Sequence, residues 1–212
     1  MKRRLLIIVP AFVFGLSTFA YGANGGNEKQ QQATAIEVNQ SITEAVKQQL
    51  NAFLNLIPVG AEKDFGFKDR SEFAKALPAS IYRMIGVGEN GKAFETNSFN
   101  VVVAVNNEYR AVLSVSLENG KYEIQTVGAA PLAKELYAVE QQHVLNIDQE
   151  RIIVNVYSKA ATFLGTNNVN ASIENADLVP LESAKTALQS EAGRTLRSSY
   201  KFAEAMKALE LK

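Results

Sequence analysis

The chain has 212 residues, in which 22 lysines and arginines balance 22 aspartates and glutamates. It therefore lacks the basic surplus that a nucleic-acid partner requires. It contains no cysteine and one histidine, which excludes thiol catalysis, cysteine–zinc centres and a two-histidine metal site within one chain. We expect no metal ion, no cofactor and no nucleic-acid partner.

The first residues have the features of a secretory signal peptide. The basic residues 2–4 precede an apolar run, 5–14, and small residues follow around Gly22. The apolar run is too short to span a membrane, which takes about 20 residues, and Pro10 interrupts it. We predict a signal peptide over 1–22, a periplasmic or secreted mature protein, and no membrane anchor after cleavage.

The mature chain then divides into two predicted parts. Residues 23–34 are polar and low in complexity, which predicts a flexible polar leader, and residues 35–212 predict a single α+β domain. Apolar residues between 36 and 57 recur at helical spacing, and Pro58 ends that predicted helix. The apolar residues of this stripe are Ile42, Val46, Leu50, Phe53 and Ile57.

The loop after this helix holds the candidate catalytic residues. Four carboxylates lie within 62–72, and Glu62 and Asp64 are the candidates for acid–base chemistry. Their spacing does not match a calcium loop, and the interleaved cations favour solvated, neutralised surface pairs as the alternative. Asp69, followed three residues later by Glu72, predicts a capped short helix.

The middle of the chain predicts a three-stranded antiparallel meander. Asn119-Gly120 is a strong signal for a two-residue hairpin turn, and a three-residue loop at 106–108 keeps the apolar residues of the first hairpin on one face. The predicted pairs are Val101–Leu113, Val103–Ala111, Val105–Tyr109, Val115–Ile124, Leu117–Tyr122 and Glu118–Lys121. The second face alternates polar and apolar residues, which is typical of a half-exposed sheet.

Further strands and helices complete the predicted domain. Residues 80–87 and 151–157 predict two more strands, with a helix opened by Pro131 between them. The tail, 180–211, predicts helix with an apolar stripe that includes Leu188 and Met206, and Gly193 either breaks or kinks it. The predicted fold class is α+β: an antiparallel sheet of about five strands, with the meander at its centre, packed against helices at both chain ends.

Two isolated motifs carry little functional information. His143 follows the predicted middle helix, where a cation near the last turn is favourable, so a helix-end role is preferred to a catalytic one. Residues 198–201 match S-x-x-K, but the chain offers neither of its partner motifs, so we interpret the match as chance.

Several segments resemble small exported proteins of Bacteroidetes-type bacteria, which have no known activity. The segments that carry the resemblance are 57–67, 70–73, 108–115, 128–130 and 132–136. The resemblance implies a location in the bacterial envelope. It transfers no catalytic residue.

The sequence predicts an exported, non-enzymatic binding module that recognises a protein, a peptide or a small ligand, with an envelope protein or a small molecule as its partner. One alternative is a hydrolase or lyase of envelope polymers that uses the carboxylates of the 62–72 loop. Another is a structural or assembly partner that docks through the C-terminal helices.

Overall fold

The computed structural model describes residues 35–142, 149–168, 171–192 and 196–211. The predicted signal peptide 1–22 and leader 23–34 lie outside the described residues, as do His143 and Gly193. The described part contains four α-helices and eight strands. They are α1 (Ala35–Leu54), β1 (Leu77–Val87), β2 (Ala93–Val105), β3 (Glu108–Glu118), β4 (Lys121–Gly128), α2 (Ala130–Gln142), β5 (Gln149–Val156), β6 (Ala161–Asn168), β7 (Asp177–Pro180), α3 (Glu182–Ala192), β8 (Tyr200–Lys201) and α4 (Phe202–Ala208).

All eight strands form one sheet in the order β4-β3-β2-β1-β5-β6-β7-β8. The predicted five-stranded antiparallel sheet is therefore wrong, although the α+β class holds. The sheet is mixed because β1 and β5 run parallel, whereas the other neighbours are antiparallel. Sequence patterning missed β6, β7 and β8, and the last of these interrupts the tail that we predicted as helical.

The two predicted hairpins differ in how well the sequence determined them. The β3–β4 pairs are confirmed, including Val115 opposite Ile124. In the β2–β3 hairpin the pairs Val101–Leu113 and Val103–Ala111 are confirmed, but the turn has two residues, Asn106 and Asn107, both with positive φ.

A β-bulge reconciles the short turn with the correct register. Ala111 lies opposite Val103 and Tyr109 lies opposite Ala104, so Arg110 is the extra residue of β3. Such a bulge reorients the side chains around it. Tyr109 consequently moves to the face opposite to the one predicted, and the Val105–Tyr109 pair is wrong.

Helices cover both faces of the sheet. On one face α1 packs against the valines at 101, 103 and 105 of β2, and α2 packs on the opposite face against Val102 and Val112. Apolar residues of α3 and α4 pack against β5 and β6 on the same face as α1. The register shows this, because directly paired residues share a face and Arg83 pairs with both Phe99, under α1, and Ile152, under α3 and α4.

The exposed edge of the sheet at β4 is partly occupied by a side chain. The Nε2 of Gln49, on α1, donates to the carbonyl oxygen of Tyr122 at 2.8 Å. Its Oε1 accepts from the backbone N–H of Ile124 at 3.1 Å. One carboxamide thus satisfies two backbone groups of the edge strand.

Candidate functional site

The two sequence-predicted candidates lie on the same short 3₁₀ turn, Glu62–Phe65, but in different environments. Glu62 is buried, and its carboxylate accepts from the N–H of Gly60 at 2.9 Å and from Arg70 Nη1 at 3.1 Å. Asp64 is exposed. The hydrogen bond from its own backbone N–H, helped by Arg70 and Gly60, lowers the pKa of Glu62, so this carboxyl stays ionised and is poorly suited to donate a proton.

Glu72, in the same loop, also forms a buried ion pair. The sequence had favoured solvated surface pairs for the charges of this loop. Arg110, reoriented by the bulge, donates from Nη2 to Glu72 Oε1 at 2.9 Å. The other oxygen of Glu72 accepts from the N–H of Lys68, whereas Asp69 caps the following turn through Ser71. These contacts fasten the 62–72 loop to the sheet.

A cluster of polar side chains that sequence reasoning missed lies between the sheet and α2. We call it the Glu140 cluster: Ser80, Tyr82, Tyr109, Glu140 and Arg151. Tyr82 Oη donates to Glu140 Oε1 at 2.5 Å, and Tyr109 Oη donates to Glu140 Oε2 at 2.6 Å. Arg151 Nη1 lies 3.3 Å from the same carboxylate and donates to Ser80 Oγ at 2.8 Å.

The electrostatics of the Glu140 cluster favour a structural role. Burial and the adjacent Glu140 carboxylate raise the pKa of Tyr82, and they raise the pKa of Tyr109 to about 12. Both phenols therefore stay protonated at neutral pH and donate, which is the opposite of what a catalytic base needs. Because these residues come from four separate segments of the chain, around positions 80, 109, 140 and 151, no local pattern could have linked them.

Stability should fall at alkaline pH because of these phenols. The folded-state pKa of Tyr109, about 12, lies above the ordinary tyrosine value of about 10. Its contribution is therefore complete below pH ~10 and is lost as the pH rises toward 12. We expect the urea midpoint of Tyr109→Phe to decline less between pH 9 and pH ~11 than that of the wild type. Identical declines would contradict this assignment.

A second feature, which we call the aromatic platform, lies on the same face of the sheet as α2. The sheet register aligns Phe94, Gly86, Asn155 and Thr162 across β2, β1, β5 and β6. The ring of Tyr157, just after β5, stacks with that of Phe94 at a centroid distance of 6.3 Å and an interplanar angle of 24°. These five residues define the platform.

Both aromatic residues of the platform are largely exposed to solvent. Phe94 is 48% exposed and Tyr157 is 61% exposed. Thr162 Oγ1 donates to Asn155 Oδ1 at 3.0 Å, so hydroxyl and amide groups continue the surface beside the rings. The arrangement offers apolar ring surface and neutral hydrogen-bonding groups together.

A glycine sets the position of the Phe94 ring. A Cβ atom at Gly86 would lie 2.2 Å from Phe94 Cζ, closer than any real contact. The ring therefore occupies the space that any other residue at position 86 would fill. This close fit is the known way in which an aromatic residue covers a glycine in a sheet.

A polar cavity of about 500 Å³ lies near the opposite end of β5 and β6. Carboxamides and the Lys201–Asp177 ion pair, with Nζ and Oδ1 2.7 Å apart, contribute to its lining. The ammonium opposes a bound cation. Among the described residues, no group of three or more histidine, cysteine, aspartate or glutamate side chains is arranged to hold a metal ion.

Comparisons with known protein families, curated proteins and solved structures found no match for this chain. In the part of the chain that the structure describes, no helix has both the length and the apolar character needed to cross a membrane.

Proposed function

We propose that this protein is an exported, non-enzymatic binding module of the bacterial envelope and that the aromatic platform is its ligand-contact surface. The observation that carries the proposal is the stacked and exposed pair of Phe94 and Tyr157. Exposed aromatic side chains contribute much of the energy of recognition surfaces, because they offer large contact area with few rotatable bonds. The export signal predicted over 1–22 supports the location.

The enzymatic alternative has less support from the geometry. Glu62 is engaged by Arg70 and Gly60, and its lowered pKa disfavours proton donation. Asp64 is exposed on the same turn. Nothing in this arrangement pairs the two carboxylates across a cleft, as hydrolysis of a polymer would require.

Docking through the C-terminal helices also has less support. Leu188 of α3 and Met206 of α4 belonged to the apolar stripe on which that alternative rested. Both side chains are buried in the protein's own core, against β5 and β6. These apolar side chains are therefore part of the protein's core and are not available to dock a partner.

The binding proposal can be tested with fractionated envelope material. The protein from residue 23 onward would be incubated with insoluble polysaccharide, detergent-extracted protein and lipid vesicles prepared from the bacterium that produces it. We expect at least one fraction to bind the wild-type protein. The double variant Phe94→Ala/Tyr157→Ala should bind that fraction about tenfold more weakly. Binding would be measured by co-sedimentation, or by size-exclusion chromatography for the soluble protein fraction.

Tyr137→Ala provides a matched control, because Tyr137 is also an exposed aromatic residue but lies on α2, where its ring contacts Tyr109. Circular dichroism would verify that each variant is folded. Equal retention of the wild type and the double variant, or retention by no fraction, would overturn the proposal.

A further inference from the structure

We infer that the ligand of the aromatic platform is a neutral polysaccharide, bound through the apolar faces of its pyranose rings. This inference rests on the proposed function and assigns it a ligand class. It combines three properties of the platform: apolar ring surface, uncharged hydrogen-bonding groups, and exposure to solvent.

The exposed rings match the apolar side of a sugar. A pyranose carries a face of C–H groups that packs against an aromatic ring, whose π face bears partial negative charge. Phe94 and Tyr157 lie within 24° of parallel, with centroids 6.3 Å apart. Because both residues are largely exposed, at 48% and 61%, the stacked pair keeps apolar ring surface available to a sugar.

The polar members of the platform match the rim of a sugar. Asn155 and Thr162 together offer an amide and a hydroxyl group, which can both donate to and accept from sugar hydroxyls. Their mutual hydrogen bond, 3.0 Å long, orients them in the free protein. The side chains are half-buried, so little further ordering is needed for binding.

The charge of the platform favours a neutral ligand over an ionic one. None of its five residues is charged. The register places one ion pair, Arg83 with Glu95, next to the platform, but on the other face of the sheet, where Arg83 also binds Glu150. A phosphate-rich or carboxylate-rich polymer would find no cationic partner among the platform residues.

The exposure of the platform favours a polymer over a single sugar. Phe94 is 48% exposed and Tyr157 is 61% exposed, so a monosaccharide bound to them would keep much of its surface in water. Enclosed sites, by contrast, bury most of a small ligand. A chain with many equivalent rings compensates for weak contact at each ring through repeated engagement.

The test uses defined oligosaccharides. Cellotetraose and chitotetraose would serve as neutral probes, N-acetylglucosamine as the single-ring probe, and tetragalacturonate as the anionic probe. Titrations would be followed by the NMR signals of the Asn155 side-chain amide and by isothermal calorimetry. We expect at least one neutral tetramer to bind about tenfold more tightly than the single ring and the anionic tetramer.

Gly86→Ala provides the sharpest variant, because it removes none of the side chains proposed to contact the ligand and only displaces one of them. The new methyl group would meet only the far end of the Phe94 ring, which must move. We expect about a tenfold loss of tetramer affinity with an intact fold, comparable to the loss in Tyr157→Ala. The Tyr137→Ala control should bind as the wild type does.

The outcomes separate the two proposals. If neither neutral tetramer binds, or if binding is unchanged in both Gly86→Ala and Tyr157→Ala, the carbohydrate inference is overturned. A platform-dependent interaction with the protein or lipid fraction would then leave the binding function standing with a different ligand. If no fraction depends on the platform either, both proposals fail.

Discussion

Replacing Glu140 with alanine should lower the free energy of unfolding by about 3–5 kcal/mol. The carboxylate accepts from both Tyr82 and Tyr109 and lies beside Arg151. Its removal leaves the fully buried Tyr82 hydroxyl without its acceptor and the arginine without its counter-charge. Urea unfolding followed by circular dichroism measures the change.

Two further substitutions on α2 show whether the effect comes from the carboxylate. Gln141 is exposed on the same helix, and Gln141→Ala should cost less than about 0.5 kcal/mol. Glu140→Gln keeps one acceptor oxygen and should give an intermediate loss, about 1–3 kcal/mol. If Glu140→Ala lowered the free energy of unfolding by less than about 1 kcal/mol, the Glu140 cluster would not stabilise the packing of α2 on the sheet.

Replacing Gly66 with alanine should cost about 3 kcal/mol or more, for two separable reasons. Gly66 has φ +93°, which a side chain disfavours, and its added Cβ would lie 2.0 Å from the carbonyl oxygen of Arg110. Because that atom belongs to the backbone of β3, the strand itself would have to shift. Unfolding in urea again measures the loss.

Gly60 offers a matched control for the backbone contribution. Its φ is +90°, but an added Cβ would meet no atom within 4 Å. Gly60→Ala should therefore cost only the conformational strain, about 1–2 kcal/mol. Equal losses in the two variants would mean that the contact with Arg110 contributes nothing.

The predictable parts of the fold are those in which turn chemistry and alternation agree locally. Asn119-Gly120 fixed the β3–β4 register, since both residues tolerate the positive φ that the turn needs. The bulge at Arg110 was not predictable, because its buried partner, Glu72, lies 38 residues away in the sequence. Tyr109 was assigned to the wrong face for this reason.

The missed strand β6 shows how tertiary packing can hide a strand from sequence patterning. Gly165 weakens its strand propensity. In the structure, however, an added Cβ at Gly165 would lie 2.8 Å from Ile152 Cγ1 and from Leu178 Cδ2, which belong to its neighbours β5 and β7. The glycine is there because the side chains on both sides need the space.

The aromatic platform could not be predicted for a related reason. Phe94 and Tyr157 are 63 residues apart by number, and each alone resembles an ordinary surface aromatic residue. They meet only because β1 pairs in parallel with the distant strand β5. Gly86 of β1, which lies between β2 and β5, has no side chain and so leaves room for the Phe94 ring. The charged 62–72 loop, by contrast, was visible as a local cluster, but the structure fastens its buried carboxylates to arginines.

The carboxamide of Gln49 has a consequence for how copies of this protein behave at high concentration. An open strand edge can recruit another molecule and so begin a ribbon of chains that grows without limit. By bonding to Tyr122 and Ile124, Gln49 removes two of the backbone groups through which a second molecule would have to attach. A single side-chain amide on α1 therefore opposes edge-to-edge association of the sheet through β4.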